Sequence, residues 1–175
     1  MRARRDIGSF QPRLPPREAL QRERALAVGT AFPDFVLHDL AGQPLALASR
    51  RGRVVLVVFL SAASPQSAAE LPALREVYRQ HHDRGFEIIG INLDAGQTNV
   101  AEYVQTHAIS WPQGHEHRGP DHGLAGTHGI VFAPASYLLD RDGPVAARHV
   151  RATELDCAVR QLLARNHGSA HRSSR

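Results

Sequence analysis

Residues 54–74 read VVLVVFLSAASPQSAAELPAL, and the rest of the chain is arranged around them. The run 54–60 is continuously apolar and rich in β-branched residues, as a strand covered on both faces would be. Small residues follow, Ser61-Ala62-Ala63, and then Ser64 directly before Pro65. That order predicts an N-cap serine with proline at the first helical position, so the strand feeds straight into a helix. Such a junction points orphan backbone N–H groups and the positive end of the helix dipole at one spot, which favours an anion or a thiolate.

Outward from this unit, the predicted helix runs from Ser64 to about Asp83, with Ala68, Leu71, Leu74 and Tyr78 on its buried face. Ser67 and Glu70 have capping-box spacing, so a start at Ser67 is the alternative. Gly85 is the expected stop. Residues 86–93, FEIIGINL, form the next strand, ended by Asp94; 98–106 form a helix capped by Thr98 or Asn99. Residues 113–129 are the least regular part. Asp142-Gly143 between apolar runs predicts a hairpin of 137–140 with 145–147. A last helix is expected to be capped by Thr153, with Leu155, Val159, Leu162 and Leu163 on one face. Upstream, 35–37 and 45–47 flank the turn Ala41-Gly42-Gln43 as a short hairpin. The order is hairpin, βαβα, hairpin, α: an α/β domain with helices covering a mixed sheet.

The 175 residues suit one domain, expected over 28–165. Residues 1–27 are expected to be a basic, largely disordered tail with a short helix from Arg17, and 166–175 a second disordered tail. The formal net charge is +4, and all 21 basic residues are arginine. Seven of these fall in the first 24 residues and the others are scattered among acids, a distribution that argues against a nucleic-acid partner. No segment approaches the roughly 18 apolar residues of a membrane span. The basic start lacks an apolar stretch behind it, so no signal peptide is expected and the chain as written reads as cytoplasmic.

The strand–turn–helix of 54–74, the Gly29-Thr30-Ala31-Phe32-Pro33-Asp34-Phe35 entry and the 109–112 segment ISWP resemble the TlpA/redoxin-type thioredoxin-like family of thiol–disulfide oxidoreductases. The resemblance covers roughly 28–164. It implies a thioredoxin-like three-layer fold: a mixed β-sheet with an added N-terminal β-hairpin and helices on both faces. It also implies a cis bond between Ala133 and Pro134, in a loop facing the active-site turn. In that family Cys-x-x-Cys opens the helix. Here the two positions are Ser64 and Ser67, around Pro65 and Gln66, while Leu60 and Ala63 stand at the usual tryptophan positions. Members of the resembled family are mostly exported or membrane-tethered, in contrast to the start of this chain.

A serine hydroxyl does not become an anion at a helix N-terminus unaided, and its oxygen cannot form a mixed disulfide. A serine nucleophile needs a base, for which His128 is the candidate in space. A peroxiredoxin would carry its reactive cysteine where Ser67 stands. Three readings result. In the first, the domain is inert in disulfide exchange and binds a protein or extended peptide at Ala62, Ala63, Pro65, Gln66 and Ala133, with no cofactor. In the second, it keeps redox activity through Cys157, its single cysteine, or through a partner. In the third, His115, His117, His122 and His128, interleaved with Glu116 and Asp121, hold zinc or copper.

Overall fold

A computed structural model describes residues 17, 26–94, 100–115 and 123–165. Apart from residues 17, 26 and 27, the expected tails lie outside the described residues, as do most of the helix from Arg17 and the cap at Thr98 or Asn99; Leu26 is buried in the core. The strand at the centre is β3 (Val54–Leu60), and all seven of its residues are buried. Its neighbours are β4 (Phe86–Asn92), parallel to it from Val54↔Phe86 to Leu60↔Asn92, and β6 (Ala135–Leu139), antiparallel to it. The edges are β5 (Gln113–His115), parallel to β4, and β7 (Val145–Arg148), antiparallel to β6. The five strands lie in the order β5-β4-β3-β6-β7.

Alternation along β3 divides the core in two. Val55, Val57 and Phe59 face one cluster with Tyr137, Phe32 and Leu45. Val54, Leu56, Val58 and Leu60 face the other. The second face is covered by α1 (Pro65–His81) and α4 (Ala152–Ala164), whose Leu71, Leu74, Val77, Leu155, Val159 and Leu162 are buried there. Tyr103 and Val104 of α2 (Val100–Thr106) pack against the same cluster. The first face is covered by the N-terminal hairpin, β1 (Val36–His38) with β2 (Pro44–Ala46), and by α3 (Gly123–His128) through Ala125. Among the described residues, helices therefore lie on both faces, three on one and one on the other. Each fully buried aliphatic or aromatic side chain contributes roughly 1.5–3 kcal/mol relative to exposure.

The hairpin strands sit one residue from their expected places. Asp39 sets them: its Oδ1 accepts the N–H groups of Ala41 (2.9 Å) and Gln43 (2.8 Å), which closes the turn around Gly42 at φ 76°. The last helix also starts earlier than expected. The Arg151 carbonyl accepts the N–H of Glu154 (2.8 Å) and Leu155 (3.1 Å), so Arg151 is the N-cap and Thr153 lies inside the first turn. The 113–129 stretch, expected to be irregular, holds both β5 and α3. β5 exists because the free edge of β4 offers backbone partners: Gly90 N–H donates to the Pro112 carbonyl at 3.0 Å, just before the strand. Gly90 also leaves room for the Gln113 side chain, which a Cβ there would overlap.

Candidate functional site

The C-terminal ends of β3 and β4 carry a connected set of polar side chains. Ser64 caps α1 as its position before Pro65 predicts: its Oγ accepts the N–H of Ser67 at 3.2 Å. The same oxygen lies 3.2 Å from the Ala133 carbonyl and 3.2 Å from Gln66 Oε1, and its single proton serves one of the two. Ser64 thus bridges the turn to the loop bearing Pro134, and the Ala133–Pro134 peptide is cis. Ser67 is fully buried, and its Oγ accepts the Ser61 N–H at 3.2 Å. It therefore ties the turn to the helix from inside, and the alternative start at Ser67 is not used. Ala62 is half-buried; Ala63, Pro65 and Gln66 are exposed, and Ala133 and Pro134 are partly so.

Beneath the turn lies a carboxylate that the sequence reading treats only as a strand end. Asp94 is 7% exposed; its Oδ1 accepts the Ser61 hydroxyl at 2.5 Å and its Oδ2 accepts the Ala62 N–H at 2.6 Å. Asn92 Nδ2 donates to Oδ2 at 2.8 Å, and Asn92 Oδ1 accepts the Asp94 N–H at 2.9 Å. The pattern Asn-Leu-Asp at the end of an apolar strand is the available signal for this, since buried polar groups must find partners. Tyr103 of α2 stands near enough that burial, with the Asp94 charge added, pushes its phenol up to about 12. The turn is thus held in place by a carboxylate two residues past the end of β4.

The histidine candidates do not converge. His117 and His122, with Glu116 and Asp121, lie outside the described residues. His115 is on edge strand β5. His128 ends α3, buried, with its ring 5.7 Å from that of Phe32. Burial pushes its pKa down, toward the neutral ring. Among the described residues no group of three or more His, Cys, Asp or Glu side chains is placed to hold a metal. His128 is also not a partner of Ser64, so the described residues supply no base to that hydroxyl. Cys157 is exposed in the middle of α4, with Gln161 Nε2 at 3.6 Å from its sulfur. Arg160, the nearest cation in sequence, is paired with Asp156 at 2.9 Å.

Replacing Ser64 by alanine removes the acceptor for the Ser67 N–H and the link to Ala133. We expect about 1–2 kcal/mol of lost stability in urea unfolding, the usual worth of an N-cap; a change below about 0.3 kcal/mol would show that the cap contributes nothing.

A strand-to-helix turn set against a cis-proline loop, at one end of a five-stranded mixed sheet, defines a thioredoxin-like domain. Residues 28–148 match the AhpC/TSA family, and the chain belongs to that family. Among curated relatives, the thiol-disulfide oxidoreductase ResA of Bacillus anthracis is 28% identical over 120 residues, 69% of this chain and 68% of that protein. ResA of Halalkalibacterium halodurans is 28% identical over 130 residues, 73% of this chain and 71% of its own length. The crystal structure of the thioredoxin domain of a Bacteroides vulgatus thiol-disulfide oxidoreductase aligns with a TM-score of 0.73 at 26% identity, covering 78% of this chain and 98% of that one. A thiol:disulfide interchange protein from Bacteroides sp. gives the same TM-score at 25% identity, covering 84% and 97%. The fold and the family are those of TlpA/redoxin-type thiol–disulfide oxidoreductases. Among the described residues no helix is long and apolar enough to cross a membrane.

Proposed function

We propose that this thioredoxin-like domain has lost disulfide exchange and is retained as a module that binds an extended polypeptide. The observation that carries the reading is the single 3.2 Å contact between Ser64 Oγ and the Ala133 carbonyl. It joins the turn and the proline loop as two walls of one site, while the atom at its centre is a hydroxyl whose partners are a backbone N–H, a carbonyl and an amide. None of these is a base, so the hydroxyl is not activated for attack. Nor can oxygen take the place of sulfur in a mixed disulfide. Cys157, alone on an outer helix face, has no second thiol in the chain to close a disulfide with.

The surface around that contact suits backbone recognition. Ala62, Ala63 and Ala133 put only methyl groups on the two walls, and the exposed Gln66 offers an amide beside them. An extended peptide laid along such a wall gains main-chain hydrogen bonds, with side chains read by the small flanking recesses. Peptides selected from a library of unstructured sequences for binding to the whole chain should lose at least about tenfold in affinity to Ala62→Arg or Ala133→Arg variants. Equal affinity for the variants would place the contact elsewhere. A library that yields no enriched peptide would remove the binding reading.

A further inference from the structure

Four arginines, Arg50, Arg51, Arg53 and Arg141, line one small cavity at the end of the sheet away from Ser64, with Asp140 the single carboxylate among its lining residues. The first three enter β3 at its N-terminal end, and Arg141 comes from the turn between β6 and β7. Most of their head groups are committed. Arg51 donates to Asp34 Oδ1 (2.9 Å) and to the Asp142 carbonyl (2.7 Å). Arg141 donates to the carbonyls of Leu162, Leu163 and Arg165, closing the end of α4. Arg53 donates to the His82 carbonyl (3.1 Å) and reaches the buried Glu87 at 3.4 Å. Asp140 faces Arg165 at 3.7 Å.

Arg50 is the exception. Its side chain has no hydrogen-bond or ion-pair partner among the described residues, and its Nε is buried. Both Arg50 and Arg53 act on the Tyr78 phenol, opposing the upward push of burial and Glu87, so the two cations share the Tyr78–Glu87 end of the core. Two guanidinium groups against one buried carboxylate leave a net positive charge there. A buried charged donor without an acceptor is costly to leave unmet.

We propose that this end of the domain binds a tetrahedral oxyanion, a phosphate group, with Arg50 as the principal ligand and Arg53 beside it. The terminal nitrogens of the Arg50 guanidinium, which are not buried and have no acceptor among the described residues, match two oxygens of such a group. The cavity holds about 10 Å³, room for one acceptor oxygen, so the other oxygens sit at the mouth. A phosphate monoester therefore fits as well as inorganic phosphate.

The test uses the whole ¹⁵N-labelled chain and follows the arginine Nε–Hε signals while inorganic phosphate replaces chloride at constant ionic strength. A saturable shift at Arg50, followed by Arg53, with Arg51 and Arg141 unmoved, is the expected result. Arg50→Gln should weaken binding about tenfold or more, and Arg50→Lys should recover part of it by keeping the charge. O-phosphoserine run in parallel separates the sources: tighter binding than phosphate points to an esterified ligand, equal binding to free phosphate. A shift that chloride alone reproduces, a response that never saturates, or unchanged affinity in the Arg50→Gln variant would overturn the assignment. The direct signal of Arg50 in the natural chain decides the matter even where a variant folds poorly.

Discussion

Cysteines placed together at positions 64 and 67 (Ser64→Cys/Ser67→Cys) are expected to make the chain reduce insulin disulfides with dithiothreitol as electron source, while the natural chain is expected to be silent. The scaffold for that chemistry is present. Ser64 stands at the N-cap of α1, where the Ser67 N–H already donates to its side-chain oxygen. A thiolate there would meet the same N–H and the positive end of the helix dipole. Thiols at such positions have pKa values of roughly 3.5–7.5 rather than about 8.5, so at neutral pH the thiolate fraction rises from a few per cent to about a quarter or more. The rate above background should therefore exceed that of the natural chain by about tenfold or more. Ser64 is 9% exposed and Ser67 fully buried, so residue 64, the more accessible of the two, is the expected attacking position and residue 67 the resolving one.

Cys157→Ser in both backgrounds completes the experiment. Activity in the natural chain that disappears with Cys157→Ser would transfer the chemistry to α4 and end the reading of an inert domain. A double-cysteine variant with native circular dichroism but no activity would mean that the turn geometry has departed from one able to exchange disulfides.

The second large effect is expected at Asp94. Removing its carboxylate strips the acceptor from the Ser61 hydroxyl, the Ala62 N–H and Asn92 Nδ2 at once, all in the interior. Buried donors left unmet cost about 1–3 kcal/mol each, more where the lost partner is charged. Asp94→Ala should therefore lower the urea midpoint by the equivalent of about 3 kcal/mol or more at an unchanged slope. Asp94→Asn, which keeps one acceptor oxygen, should cost less. It should also lower the pKa of Tyr103, because the Asp94 charge is one of the two causes holding that phenol near 12. A spectrophotometric tyrosine titration reads this directly. If Asp94→Ala costs no more than a substitution at exposed Asp83, the carboxylate does not hold the turn.

Much of the scaffold was legible in the chain. The apolar run of β3 can only be a strand buried on both faces, and Ser64-Pro65 can only cap and open a helix, because both signals are local. The two hairpins were legible for the same reason, to within two residues. Ser64 and Ser67, at the positions where the resemblance places a dithiol, are likewise read directly from the chain. Non-local pairing accounts for what was missed. Three residues of β5 carry no periodicity and become a strand because the edge of β4 offers it a ladder. Ser61 and Asp94 are separated by 33 positions and meet only where β3 and β4 end side by side. His128, read with the other histidines of its loop, turns inward onto Phe32 once α3 closes over the sheet, a choice made by packing rather than by spacing. Local chemistry along the chain thus named the scaffold and the two serines of the turn. The group that holds the turn, and the arginine left without a partner at the far end, emerge only when distant strands bring their ends together and take water away from them.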